Sequence, residues 1–234
     1  MRSSAQSRPR IKILVLGLLL ALAGCGEIPP PLDEIEAALK GAASYSVILE
    51  DMKEEGNFFK EYYHRYRVVQ DETANTTDWL QVPEEAYRAN EALLGMTIAG
   101  KKDGEELPAA APPGYPYVGD PRYGSWQTDS MGRTFWAFAG GMALGRLLDM
   151  GRYPPIYQSD YETYTGYRAR RSPYFGRSNE YGTYGKVEQK ARPDFYARRM
   201  ARESQKRSTF LNKVSERTGR TKTNFRGRSG GRGK

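Results

Sequence analysis

Charge is sorted along this chain, and the sorting limits where a folded core can form. Residues 1–24 carry four basic side chains and no acid. Residues 25–150 hold 11 basic against 21 acidic residues, a net of −10. Residues 151–234 hold 21 basic against 7 acidic, a net of +14. Such asymmetry marks segments with separate partners, and the last reads as a basic tail. From Arg152 to Tyr184, eight tyrosines alternate with Gly, Ser, Arg and Thr, and aliphatic residues are nearly absent. That composition predicts a low-complexity segment without a packed core. The core is therefore expected in the acidic stretch, in a chain whose 234 residues allow one or two domains.

The first 24 residues read as a targeting segment. Arg2, Arg8, Arg10 and Lys12 precede the apolar run Ile13–Gly24. A membrane-spanning helix needs about 20 apolar residues, so this run is too short to be a normal anchor. A basic start followed by a short apolar run ending in small residues is a secretory signal. The run ends Leu22-Ala23-Gly24-Cys25, and Cys25 is the only cysteine in the chain. This LAGC resembles the lipobox of bacterial lipoprotein precursors. The resemblance implies cleavage before Cys25, thioether lipidation of its sulfur, and two or three acyl chains, enough for stable anchoring. It also implies a cell-envelope location. Gly26 after the cysteine favours the outer membrane in a Gram-negative cell; otherwise the outer face of the plasma membrane is implied.

Residues 25–32 form a proline-stiffened tether, GEIPPP at its centre. Residues 33–103 then read as a small α+β domain in the order helix, strand, strand, helix, strand. Asp33 is placed to cap a helix with Ile35, Ala38 and Leu39 on one face. Tyr45–Leu49 and Phe58–Val69 read as a hairpin around the turn at 54–57, with Phe58, Tyr62, Tyr66 and Val68 sharing a face. Pro83 begins a second helix, its apolar face Ala86, Ala89, Leu93 and Leu94, with Gly95 ending it. Met96–Ala99 reads as the third strand.

Little in this domain suggests catalysis. One cysteine excludes a disulfide framework and a multi-Cys metal site. His64 is the only histidine. It reads either as a general base or as a half-exposed sheet residue, and its strand context favours the second. No nucleophile-elbow serine accompanies it. The pairs Glu54/Glu55, Asp71/Glu72 and Glu105/Glu106 sit at turns or loops with no EF-hand spacing. No enzyme activity, cofactor or metal is expected.

Five prolines and four glycines between 104 and 124 predict a linker. Residues 125–150 are expected to hold a short apolar helix across Phe135–Leu148. Its small residues Ala137, Gly141 and Gly145 have the spacing of close helix pairs. Three roles fit it: docking on the small domain as core, self-association or a membrane-protein partner, and lying in the membrane interface. The tail, 151–234, is expected to be largely disordered, with a basic, weakly amphipathic helix over 193–218. Tyr196, Met200, Leu211 and Val214 approximate a stripe that Glu203 and Arg207 interrupt. The tail's polyanion-binding candidates are Arg198, Arg199, Arg202, Lys206, Arg207, Arg220, Arg226, Arg228 and Arg232. A cytosolic Arg/Gly end of this kind would suggest RNA. Export makes anionic lipid, lipopolysaccharide or another envelope polyanion the expected partner and disfavours nucleic acid.

The segment Met142-Ala143-Leu144-Gly145-Arg146-Leu147, ahead of a Tyr/Gly/Ser stretch and a basic Gly/Ser-rich end, is similar in layout to enterobacterial lipoproteins of the YgiB type. This chain departs in its acidic α+β domain and its many arginines. The resemblance implies a location and no activity. The combined expectation is a lipid-anchored envelope protein with a non-catalytic adaptor or binding role. An accessory subunit of a membrane complex, using the small domain as its contact, is the alternative; an envelope hydrolase comes third.

Overall fold

The aliphatic run at Tyr45 extends further than its pattern suggests. In the computed structural model, which describes residues 29–56, 59–149 and 153–223, it forms an 11-residue strand, β1 (Tyr45–Glu55). β1 pairs antiparallel with β2 (Glu61–Gln70) on one side and β5 (Thr97–Lys102) on the other. The far edge of β2 is shared by β3 (Thr73–Thr76) and β4 (Leu80–Val82), and β5 carries β6 (Glu105–Glu106). The fold is mixed α+β with antiparallel sheets.

A bulge in β1 changes which side chains face the core. Leu49 pairs with Tyr66 and Asp51 with Arg65, so Glu50 is the extra residue. A strand alternates faces with period two, and one inserted residue shifts the phase. Tyr45, Val47 and Leu49 share the first core cluster, and after the bulge it is Met52 that rejoins them. The bulged Glu50 is left buried and ready to be met from another part of the chain.

Helices α1 (Pro31–Ala38) and α2 (Glu84–Ala89) accompany that first face. Ile35 and Leu39 pack there with Tyr62, Tyr87 and Leu94. α1 starts at a proline with no side-chain cap, so Asp33 lies in its first turn, where the helix dipole favours an acid, and does not cap it. α2 ends at Ala89 and not at Gly95. Gly95 lies in a turn at φ +78°, and a Cβ there would sit 2.1 Å from the Glu188 carboxyl group.

The opposite face of the sheet is covered by residues expected to form a linker and a single apolar helix. Ile48 and Val69 pack against Tyr117, Tyr123, Ala143, Leu144 and Leu147. The proline-rich stretch is no linker: Ala110 to Val118 is buried throughout, with a 3₁₀ turn at Tyr115–Tyr117. Ala111 exchanges both backbone hydrogen bonds with Thr97 (2.8 and 3.1 Å), and Tyr117 Oη lies 3.0 Å from Ser46 Oγ. Its Pro and Gly residues shape tight turns against the sheet. Gly114 adopts φ +91°, and a Cβ there would meet Leu148 and Phe138 at 2.6 and 2.9 Å.

The expected helix across Phe135–Leu148 is divided. β7 (Gly124–Thr128) and β8 (Thr134–Phe138) form a hairpin, joined by β9 (Ile156–Tyr157), and only α3 (Ala143–Asp149) is helical. Asp129 Oδ1 accepts the N–H groups of Met131 and Arg133 at 2.9 Å, which closes the turn. The aromatic residues beyond it suit a pleated surface better than a helix. Ala137 lies in β8, Gly141 in a turn and Gly145 in α3, so they form no helix-pairing stripe. A Cβ on Gly145 would meet the Ala139 carbonyl at 2.7 Å, a close approach within the chain itself. Of the three roles considered for this segment, packing into the body of the molecule is the one observed.

The described part of the tail is ordered into helices α4 (Gln158–Ala169), α5 (Lys186–Ala191) and α6 (Pro193–Thr223). Tyrosines do there what aliphatics do elsewhere. The Tyr115 ring lies 5.5, 5.4 and 6.0 Å from the rings of Tyr164, Tyr174 and Tyr181, with Trp136, Ile156 and Met96 in the same cluster. Edge-to-face and tilted pairs at these distances add to the large area each ring buries. This corrects the expectation of a coreless, largely disordered segment.

Candidate functional site

The expected polyanion-binding residues divide by position along α6. Its first turns are clamped to the bulged strand. Arg192, which ends α5, is buried. It donates from Nε to the Glu50 carbonyl (2.7 Å), from Nη2 to Glu50 Oε2 (3.3 Å), and from Nη1 to Glu188 Oε2. Arg67 Nη2 meets Glu50 Oε1 at 2.9 Å from the neighbouring strand. Burial alone would weaken the Arg192 guanidinium's hold on its proton; Tyr153, Glu188 and Glu50 outweigh that and hold its pKa above the ordinary value. The Tyr153 phenol beside it is pushed up to about 12, chiefly by burial.

The same strand meets α6 twice more. Arg198 Nη2 reaches both Asp51 oxygens at 2.7 Å, while Lys53, Arg65 and Arg198 crowd the Trp79 ring at 4.6, 5.0 and 6.0 Å. Arg202 Nη1 lies 3.3 Å from Glu54, which Lys60 also holds at 2.6 Å. Burial would raise the Glu54 pKa, but Lys60 and Arg202 keep it below the usual carboxylate value. Arg198 and Arg202 are thus occupied within the molecule. Arg199 hydrogen-bonds the Tyr184 phenol, over whose ring it lies at 5.3 Å, and meets Glu203 at 3.5 Å.

A cleft of about 320 Å³ opens where α6 leaves the body. Its floor is Met52, Tyr87 and Phe195, all buried. Its charged walls are Lys53, Glu54 and Glu55 from β1, Arg88 and Glu91 from the α2 side, and Arg198, Arg199, Arg202, Glu203 and Lys206 from α6.

Beyond Arg202 the helix projects. Every described side chain from Glu203 to Arg217 is exposed. Phe210, Leu211 and Val214 are 64%, 58% and 41% exposed, and Met200 is 71% exposed. In a helix of 3.6 residues per turn, positions 200, 207, 210, 211 and 214 fall on one side, with Lys206, Lys213 and Arg217 along its margin. Lys206 and Arg207 are exposed. Arg220 lies within α6. Arg226, Arg228 and Arg232, like Leu22, Ala23, Gly24, Cys25 and Phe58, lie outside the described residues.

His64 is not half-exposed as expected; it is fully buried. Its Nδ1 lies 2.9 Å from Tyr66 Oη, and its ring stacks on Tyr87 at 5.5 Å. Burial pushes its pKa down to about 4, so it is neutral at physiological pH. It does not line the cleft at the root of α6. Among the described residues, no group of three His, Cys, Asp or Glu side chains could hold a metal ion, and no helix is long and apolar enough to cross a membrane. Sequence reasoning did not point to Glu50, Glu188 or Arg192: Glu188 and Arg192 stand four apart, the spacing of a helical ion pair, but no local pattern joins Arg192 to Glu50, 142 positions away. No protein-family model, no curated protein and no solved structure matches the chain.

Proposed function

We propose that this chain is a lipid-anchored bacterial envelope protein with a non-catalytic adaptor role, whose projecting helix lies on an anionic bilayer surface. Cys25 is the anchoring residue in this reading. The observation that carries the surface contact is the coexistence, on one solvent-exposed length of α6, of Phe210, Leu211 and Val214 with Lys206, Arg207 and Lys213. A soluble polyanion needs only the charges. An interfacial helix needs apolar residues that sink below the headgroups as well as basic residues that meet phosphates. The +14 of residues 151–234 adds a field that gathers such a surface over short range.

The test is sedimentation with vesicles, using the unlipidated chain from Gly26 onward, which keeps every described residue. Binding to phosphatidylglycerol vesicles that declines as salt rises, with little binding to phosphatidylcholine, is expected. Absence of binding at low salt, or equal binding to both vesicles, removes the surface role. Labelling in cells with a fatty-acid analogue tests the anchor separately. Label on the Cys25→Ala chain overturns it.

A further inference from the structure

We infer that the cleft at the root of α6 is a binding site for one phosphate ester. The reasoning starts from how tightly its cations are already held. Arg198 faces Asp51 with two 2.7 Å contacts, and Lys53 meets Glu55 at 2.7 Å, so neither is available. Arg88 is different: it donates from Nε and Nη2 to Glu84 Oε1 at 3.4 and 3.3 Å and to Tyr62 Oη at 3.4 Å, and meets Glu91 at 3.7 Å, all long contacts, the ion pairs being between side chains that are 39–59% exposed. Arg199 reaches Glu203 only at 3.5 Å, and its two partners, Glu203 and the Tyr184 phenol, are 68% and 64% exposed. Exposed pairs of this length hold little free energy and rearrange readily.

Two loosely paired guanidiniums and Lys206 therefore converge on one cleft. An arginine fork matches two phosphate oxygens, and such bidentate, charge-assisted bonds are stronger than long contacts with a solvated carboxylate. The floor argues for an ester over free phosphate. Met52, Tyr87 and Phe195 offer a dry patch to the carbon side of the ligand while the rim meets its charge, which is the usual division of labour in a small-molecule site. The phosphate source is either a soluble ester or a lipid headgroup. The site does not depend on the bilayer role of the projecting helix.

Calorimetric titration of the chain from Gly26 onward separates these sources. Glycerol 3-phosphate represents the soluble ester and dioctanoyl phosphatidylglycerol, below its micelle concentration, the headgroup, with inorganic phosphate as competitor. Saturable 1:1 binding of either is expected, weakened at least tenfold in Arg88→Gln/Arg199→Gln and changed less than twofold in Lys186→Gln, an exposed cation of α5 outside both the cleft and the projecting helix. Unchanged thermal unfolding of the double variant shows that its loss is local. No saturable binding of either probe overturns the site, as does binding that survives in the double variant or falls equally in Lys186→Gln. Vesicle binding that persists while both soluble probes fail removes the cleft and leaves the surface role of α6 standing. Loss of vesicle binding with the probes still bound does the reverse.

Discussion

Two lengths of one helix carry similar arginine-rich sequence and do opposite things. At its root Arg198 and Arg202, with Arg192 just before the helix, are taken up by Asp51, Glu54, Glu50 and Glu188, and Phe195 is buried in the first core. From Glu203 to Arg217 the same kinds of residue face solvent, with phenylalanine and leucine left out beside them. Composition does not distinguish a structural arginine from one that serves a partner. What distinguishes them is whether an acidic strand lies opposite, and β1 ends where the exposed length begins.

The sharpest way to break this comparison is to remove Arg192. Arg192→Ala leaves Glu188 and Glu50 buried with a guanidinium lost, and loss of one partner of a buried pair costs about 3–5 kcal/mol. Urea denaturation should show that loss, and a change below about 1 kcal/mol would mean the root is not clamped in this way. Matched phenylalanines come next. Phe195→Ala should cost about 3–4 kcal/mol, as for other buried aromatics, whereas Phe210→Ala should stay within about 0.5 kcal/mol, as surface positions do. Equal costs at the two sites would erase the distinction between root and projection.

Acid probes the layer beneath the root. His64, packed between Tyr66 and Tyr87, titrates at about 4 in the folded protein against an ordinary 6.5. The unfolded chain therefore takes up the proton first as pH falls. Stability is fully present above about pH 6.5, declines as pH falls toward 4 by about 3 kcal/mol, and that decline levels off below. His64→Phe should flatten that part of the pH–stability curve. The projection is read through attachment: Lys213→Gln should leave unfolding unchanged while weakening attachment to anionic vesicles by about 1 kcal/mol, roughly fivefold. A shift in the unfolding midpoint with no change in attachment would invert the roles of root and projection.

The two cores differ in how openly the sequence announces them. The first is built from patterns with familiar periods. Tyr45, Val47 and Leu49 alternate, and Pro83-Glu84-Glu85 opens a helix, so the helix–strand–strand–helix–strand order of 33–103 was legible, short of the added strands β3, β4 and β6. The Tyr115 cluster was not, because its apolar area comes from rings carrying hydroxyls and separated by glycine and arginine. One signal was available: Tyr157, Tyr161 and Tyr164 recur at the spacing of a helical face, and α4 begins immediately after Tyr157. The Pro-rich stretch misled for a related reason. Proline and glycine report turns, and Ala110–Val118 uses its turns inside the molecule. The exposed basic stretch was visible as composition. The cleft was not, since it joins residues 52–55, 87–91 and 195–206, which only the folded chain brings together.

The contact between Glu50 and Arg192 also has a meaning in time. A chain made from its N-terminus completes all of β1 long before Arg192 exists, 142 residues later. Until then the bulged carboxylate has Arg67 as its neighbour and lacks its second cation, and the patch that Phe195 covers stays open. A chain cut short anywhere between the end of that sheet and residue 192 carries all six of its strands and still cannot close it. Copies that stop short of residue 192 therefore leave Glu50 without Arg192 and the patch under Phe195 uncovered, whereas copies that reach past Phe195 cover both.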